Sequence, residues 1–290
     1  MPITSDSTTR PSGLRFEHRK GIAYLTLDRP ERGNALTGEL LDDVARAWAE
    51  VRENPEIRVA IVTGSGPRHF CTGADVGARR FGGQTKRDND GPFDQDIRIS
   101  ARHSHVWKPV ICAVNGLASG AGLHFVVDAD IVLAVESAAF MDTHVNVGQV
   151  GAIENIGLTR RLPLGSALRM TLMGKAYRMP AQRAYQLGLV DEVYPADELL
   201  PAAEEMARAM MENSPRAMSI SQEALWKSLD LGYTQAVDFG WALLRTHWQH
   251  QDRSEGPAAF NEKRDPDWAP PSPGREWRLR ESENADDQSP

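Results

Sequence analysis

Short, almost wholly apolar runs set between turns and helix-periodic segments constrain this chain more than any other feature. Ile22–Leu27, Val59–Thr63, Val110–Val114 and Ile131–Ala134 are too short for buried helices, and their unbroken hydrophobicity suits strands covered on both faces. Asp28, Arg29 and Pro30 close the first run, because proline cannot donate to a strand ladder. Beyond it, Asn34 is expected to cap a helix in which Leu40, Leu41, Val44, Trp48 and Val51 recur at three- and four-residue spacing. A glycine-rich turn, Gly116 to Gly122, precedes an apolar helix starting near Leu123. Strand, turn and helix thus alternate, which predicts an α/β class with parallel strands joined by right-handed crossovers.

From Leu158 the pattern turns helical: one segment through Met173, then Pro180 to Leu187, Leu199 to Met211, Pro215 to Leu229 and Thr234 to His250. The organisation expected is a polar, disordered tail over 1–13, a core over 14–200, a helical region over 201–268 and a second disordered tail over 269–290. Arg79 to Arg102 is polar and glycine-containing, and reads equally well as a functional lid or a solvated loop.

Composition matters here for what it excludes. A length of 290 residues suits one large domain, and a formal charge of −7 argues against broad affinity for nucleic acid. Cys71 and Cys112 are too few for a disulfide framework and are expected to be reduced, buried thiols. No run is long enough for a membrane span and no signal peptide opens the chain, so the expected location is cytoplasmic, with no membrane partner.

Two turns invite a phosphate-binding reading, and neither supports it. Gly64-Ser65-Gly66-Pro67-Arg68-His69 lacks the third glycine of a dinucleotide loop, and Gly116 to Gly122 lacks the Lys-Ser/Thr ending of a nucleotide-triphosphate loop. The small residues of Thr72-Gly73-Ala74-Asp75 and Gly120-Ala121-Gly122 instead admit close approach to main-chain N–H groups. Two such donors on one oxygen make an oxyanion hole; tight structural turns are the plainer alternative.

In this setting several motifs fall in order: Leu27-Asp28-Arg29-Pro30 with Asn34-Ala35-Leu36; Phe70-Cys71-Thr72-Gly73-Ala74-Asp75; Lys108-Pro109-Val110 with Asn115-Gly116; Gly120-Ala121-Gly122; Asp130-Ile131; Gly188-Leu189-Val190-Asp191; and Asp252 to Gly256 through Phe260 to Arg264. The set resembles the crotonase, or enoyl-CoA hydratase/isomerase, superfamily over Leu14 to Trp268. The resemblance implies a spiral of ββα units, with carboxy-terminal helices that build a homotrimer or a dimer of trimers. It implies an acyl-CoA substrate whose thioester carbonyl is held by the amides of Ala74 and Ala121 as it gains enolate character. CoA enters as part of the substrate, and no metal or redox cofactor is implied. The CoA body would lie along Arg32 and Thr72, Gly73, Asp75 and Val76, with Phe260 and Lys263 at the adenosine end, from the same or a neighbouring subunit. Gly77 stands where a basic residue often follows that segment.

Hydratases of the family use two glutamates; here their positions carry His124 and His144, and the loop between Gly148 and Arg160 is longer than usual. Histidine suits proton transfer near neutral pH, and a carboxylate on its second nitrogen fixes the tautomer. Glu154 is the expected partner of His144, and His124 is read as either catalytic or a buried structural histidine. Asp142 is a pocket-facing or loop-capping carboxylate. Hydration of a 2,3-enoyl-CoA is the leading expectation. The alternatives are hydrolysis of a C–C or thioester bond by a His144/Glu154 dyad, and a non-catalytic CoA- or RNA-binding homologue. His103 with His105 and His247 with His250 read as solvated helix faces rather than metal ligands.

Overall fold

The computed structural model describes residues 8–9, 12–75, 77 and 98–271. Among these residues eleven strands form two sheets. The larger takes β1 (Thr8–Thr9), β2 (Leu14–Arg19), β3 (Ile22–Leu27), β4 (Val59–Gly64), β6 (Val110–Val114), β8 (Ile131–Val135) and β11 (Glu192–Tyr194), in that spatial order. The smaller takes β10 (Met179–Pro180), β9 (Ala139–Met141), β7 (Leu117–Ser119) and β5 (His69–Cys71). Each of β4, β6 and β8 is followed directly by a strand of the second sheet, so the chain winds through both layers once per repeat.

The register aligns apolar side chains across the large sheet: Tyr24, Ile61, Ile111 and Ile131 are successive partners, with β3, β4, β6, β8 and β11 all parallel. Val59 through Val62 and Ile111 through Val114 are buried, as expected of strands packed on both faces. Among the described residues, nine α-helices surround the sheets: α1 (Gly38–Glu53), α2 (Leu123–Val127), α3 (Ile153–Thr159), α4 (Leu164–Met173), α5 (Ala181–Leu187), α6 (Leu199–Met211), α7 (Pro215–Ser228), α8 (Tyr233–His247) and α9 (Asp252–Glu262). Cys71 and Cys112 are buried free thiols, and burial pushes Cys71 up to about 12.

Four expectations are corrected. Thr37, not Asn34, caps α1 by accepting from the Leu40 amide. Asn34 has φ +55°, accepts from Arg29 N–H, and donates to the carbonyls of Ser65 and His69, so it pins two loops together. The helix expected over Leu158 to Met173 is broken between α3 and α4, where Pro163 precedes Leu164. The boundary at 200 falls inside α6, which packs on β4, β6 and β8 and so belongs to the core layer. The amino-terminal segment is not wholly free: Thr8–Thr9 pair with β2, and the buried Ser12 hydroxyl bonds Asp43. Most of the expected lid segment, and the tail beyond residue 271, lie outside the described residues. Among the described residues no helix is long and apolar enough to cross a membrane.

Candidate active site

The two glycine turns meet. Gly73, between β5 and Ala74, has φ +87°, and a Cβ there would lie 2.8 Å from the Ser119 carbonyl oxygen and 3.1 Å from the Ala121 nitrogen. Only glycine permits that approach. Leu36 donates to Gly73 O and accepts from Asp75 N, so the flanking peptides are held while the Ala74 N–H is left facing away from that bridge. Ala121 is the second residue of a one-turn 3-10 helix, Gly120–Gly122, where N–H groups have no partner within the helix. The sequence thus places Ala74 and Ala121 beside each other across Gly73 and Gly120.

His144 reaches the same turn. A Cβ on Gly120 would lie 3.6 Å from His144 Cε1 and 3.8 Å from Thr143 Oγ1. The His144 ring does not rest on Glu154 alone, however: its Nδ1 is 2.6 Å from Asp142 Oδ1 and 3.1 Å from Glu154 Oε1. Asp142 is fully buried, accepts from the His144 amide at 3.0 Å, and is braced by Asn155 Nδ2 at 2.6 Å. It is therefore both the loop cap and the ring's nearest carboxylate. With Nδ1–H donating to Asp142, the His144 Nε2 is left as the proton acceptor.

Glu154 lies in the first turn of α3, where the helix dipole favours a carboxylate, and stands between two imidazoles. Its Oε2 is 3.4 Å from His124 Nε2. The longer loop supplies this half of the cluster, and Gly151 lets it close: a Cβ there would be within 3.0 Å of Asn155, Asp142 and His144.

Charge follows geometry. The Asp142 hydrogen bond, with the neighbouring Glu154 charge, raises His144 above its ordinary value against the opposing effect of burial. Burial pushes both carboxyls up, but hydrogen bonds outweigh it: His144 and Asn155 hold Asp142 below its usual range, and His124 does the same for Glu154. The two carboxylates therefore favour the charged form of the His144 ring.

Other expected residues are placed less directly. Asp75 is buried and spent on structure, taking Arg29 at 3.1 Å, Arg32 at 3.8 Å and the Gly77 amide at 3.3 Å. Arg32 keeps its side chain 60% exposed beside the Thr72–Gly73 turn, where a Cβ on Gly33 would touch Thr72. Val76 lies outside the described residues. Phe260, on α9, is 83% exposed, and Lys263 ends that helix in the left-handed conformation.

The sequence reading missed His103, which is no solvated face residue: its ring packs edge-on against His124 at 5.3 Å. Among the described residues, two groups bring three ligand-type atoms within 4.8 Å of one another and could hold a cation, His103/His124/Asp128 and Asp142/His144/Glu154. His247 and His250 stack at 5.5 Å elsewhere.

A fold of two interleaved sheets with paired amides at the switch between them, facing a histidine, defines a class that comparison identifies. A family model described as enoyl-CoA hydratase/isomerase matches residues 17–271. An (E)-benzylidenesuccinyl-CoA hydratase of Thauera aromatica is 32% identical over 257 residues, 87% of this chain and 97% of that protein. A carnitinyl-CoA dehydratase of Salmonella arizonae is 32% identical over 266 residues, 88% and 97%. A solved enoyl-CoA hydratase/isomerase of Mycobacterium paratuberculosis superposes with a TM-score of 0.80 at 36% identity, covering 89% of this chain and 98% of that one. The chain belongs to the enoyl-CoA hydratase/isomerase family and has the crotonase fold.

Proposed function

We propose that the protein is an acyl-CoA lyase that adds water across a 2,3-enoyl-CoA, or removes it from the 3-hydroxyacyl-CoA, with His144 as the single proton carrier. The observation that carries this reading is the His144 ring set between Asp142 and Glu154 with its edge at Gly120. In the forward direction His144 Nε2 takes a proton from water as the oxygen bonds to Cβ. The electron pair of the double bond moves to the thioester oxygen, where the Ala74 and Ala121 N–H groups hold the enolate. The imidazolium, stabilised by Asp142 and Glu154, then returns the same proton to Cα. His124 keeps Glu154 ionised. Thus His124 and His144 stand in for the two glutamates of other hydratases, and no proton is gained or lost overall.

A hydratase and a dehydratase among the relatives support the reaction class. CoA would lie on Arg32 and the Thr72–Gly73 turn, while Asp75 acts through Arg29 and Arg32, and Phe260 and Lys263 meet the adenosine end. A self-assembled trimer, or a pair of trimers, is supported by α8 and its C-cap Trp248, where Tyr233, Val237, Trp241, Leu244 and Trp248 form an exposed apolar stripe at helical spacing.

The test is a panel of enoyl-CoA, 3-hydroxyacyl-CoA and β-dicarbonyl substrates followed by mass spectrometry. One CoA product gaining or losing water is expected, with loss of turnover in His144→Ala. The Asp142–His144 hydrogen bond would equally direct water at a carbonyl, and release of free CoA or two fragments would establish that hydrolytic reading instead. CoA-dependent thermal stabilisation without turnover of any substrate would overturn both.

A further inference from the structure

A cavity of about 50 Å³ opens where the end of α1, the residues leading into β4 and β6, and the first turn of α7 meet. That is several times the roughly 10–15 Å³ that one water needs. None of its lining residues is shared with the acyl-CoA site. Arg52, Arg58, Lys108 and Arg216 line it, with His105 and Ser219, and among the described residues no Asp or Glu does. In a chain with 40 acidic and 33 basic residues, four cations converging without a lining carboxylate run against the overall charge.

The cations are held in place mostly by groups that leave their charge uncancelled. Arg58 donates to the carbonyls of Met211 and Asn213 at 3.0 and 2.8 Å, at the carboxy-terminal end of α6. Its Nε is buried and has no hydrogen-bond partner among the described residues. Lys108 is buried and donates to the Asn54 carbonyl at 2.7 Å, which uses one of its three ammonium donors. Arg52 donates to the Ser104 carbonyl at 2.9 Å and turns its other arm to the exposed Glu53. Arg216 lies in the first turn of α7, whose dipole adds positive potential at that end. Two carboxylates act from outside the lining: Glu50 on α1 favours the charged form of Lys108, and Asp252 on α9 that of Arg58. Burial outweighs both: it lowers Arg58, and together with the Arg58 charge it lowers Lys108 to about 8. Like charges gathered in a partly buried site are costly unless an anion joins them.

We propose that this cavity is a second ligand site, which takes a phosphoryl group, either as free phosphate or as the end of a phosphate ester. Arginine forks match tetrahedral oxyanions, which accept through several oxygens at once, and lysine adds a compact point charge. At this volume the cavity encloses a phosphoryl head, and the rest of an ester lies outside it. The site is separate from the CoA expected along Arg32 and does not depend on the reaction assigned to His144.

Isothermal titration calorimetry of the full chain with inorganic phosphate, and separately with glycerol 3-phosphate, at constant ionic strength tests this. One saturable site per chain is expected. Arg58→Gln and Arg216→Gln are each expected to weaken it about tenfold or more, the scale of one hydrogen bond between charged groups. Arg58→Lys, which keeps the charge, is expected to bind between the parent and Arg58→Gln, and Arg32→Gln to bind as the parent does. Tighter binding of glycerol 3-phosphate marks a phosphorylated organic molecule as the ligand, and tighter binding of inorganic phosphate marks the free ion. No saturable binding by the parent overturns the proposal. So does a site lost in Arg32→Gln and kept in Arg216→Gln, which places the phosphate in the CoA cleft. Arg58 also braces the end of α6, so circular dichroism accompanies its variants, and where Arg58→Gln fails to fold Arg216→Gln decides.

Discussion

At the scale of single residues, Asp142 does two jobs with one carboxylate. It accepts from the first amide of the 3-10 turn that begins at His144 and orients the ring of that same histidine. Asp142→Asn keeps the shape but replaces a pure acceptor with a donor. Turnover is expected to fall by about a hundredfold or more, the usual scale for general acid–base catalysis, with the acidic limb of the profile moving to lower pH as His144 loses its support. Steady-state kinetics across pH, with circular dichroism as a control for folding, checks this. The same shifts bear on stability. His144 is raised in the folded state, so its contribution is fully present below about pH 6.5 and fades as pH rises through its higher folded value. Asp142 and Glu154 are lowered, so theirs is present above the ordinary carboxylate range and is lost as pH falls through their folded values. The Tm difference between parent and His144→Ala, measured from pH 5 to 9, is expected to be largest at the acidic end of that range. The structure brings His124, His144 and Glu154 into one cluster; His124, His144, Ala74 and Ala121 were singled out through the family resemblance and Glu154 through the chemistry of a histidine's partner. Asn155, Gly151 and His103 were not, because each acts through a contact that spacing along the chain does not encode.

At the scale of elements, the helical half is hooked to the sheets at Asp130. Its carboxylate accepts from the Val110 amide at 2.7 Å, from Gln222 at 2.5 Å and from Trp226 Nε1 at 2.7 Å, and Arg102 lies 3.8 Å away. Asp130 stands directly before β8. In three dimensions it is where α7 meets the edge between β6 and β8. Removing the carboxylate leaves Arg102, whose side chain is 11% exposed, without its closest charge partner. Asp130→Ala is expected to destabilise by about 3 kcal/mol or more, within the range for breaking a buried pair, seen as a lower midpoint in denaturant. Gly73→Ala is a sharper probe of the two abutting turns. With φ +87° and a carbonyl oxygen 2.8 Å from the new Cβ, the turn must open, and strain of about 1–3 kcal/mol should accompany loss of turnover. The oxyanion donors then separate, and losing one such donor typically reduces kcat by about 100-fold or more.

At the scale of the whole molecule, net charge and exposed apolar surface pull in different directions. A charge of −7 opposes the approach of a polyanionic ligand, and on the proposed reading local cations such as Arg32 would do the attracting. Arg32→Ala is expected to raise KM several-fold with kcat little changed, which initial-rate kinetics resolves. The outward stripe on α8 is larger than isolated surface residues explain, and Trp241 packs on Trp248 edge-to-face at 6.5 Å within it. Trp241→Glu places a charge at its centre and should shift the proposed trimeric assembly to smaller species by light scattering, with the site geometry intact.

The strand–turn–helix alternation, the order of the motifs and the chemistry of the two histidines were set by the sequence itself, since periodicity and local turn chemistry act between near neighbours. The tertiary structure alone decided which carboxylate grips which imidazole. Asp142, His144 and Glu154 converge because the longer loop folds back through Gly151, and His124 is fixed by packing against a residue 21 positions earlier. Hydrogen bonds and buried charges depend on distances of a few tenths of an ångström between distant segments. Only the packed chain sets those distances.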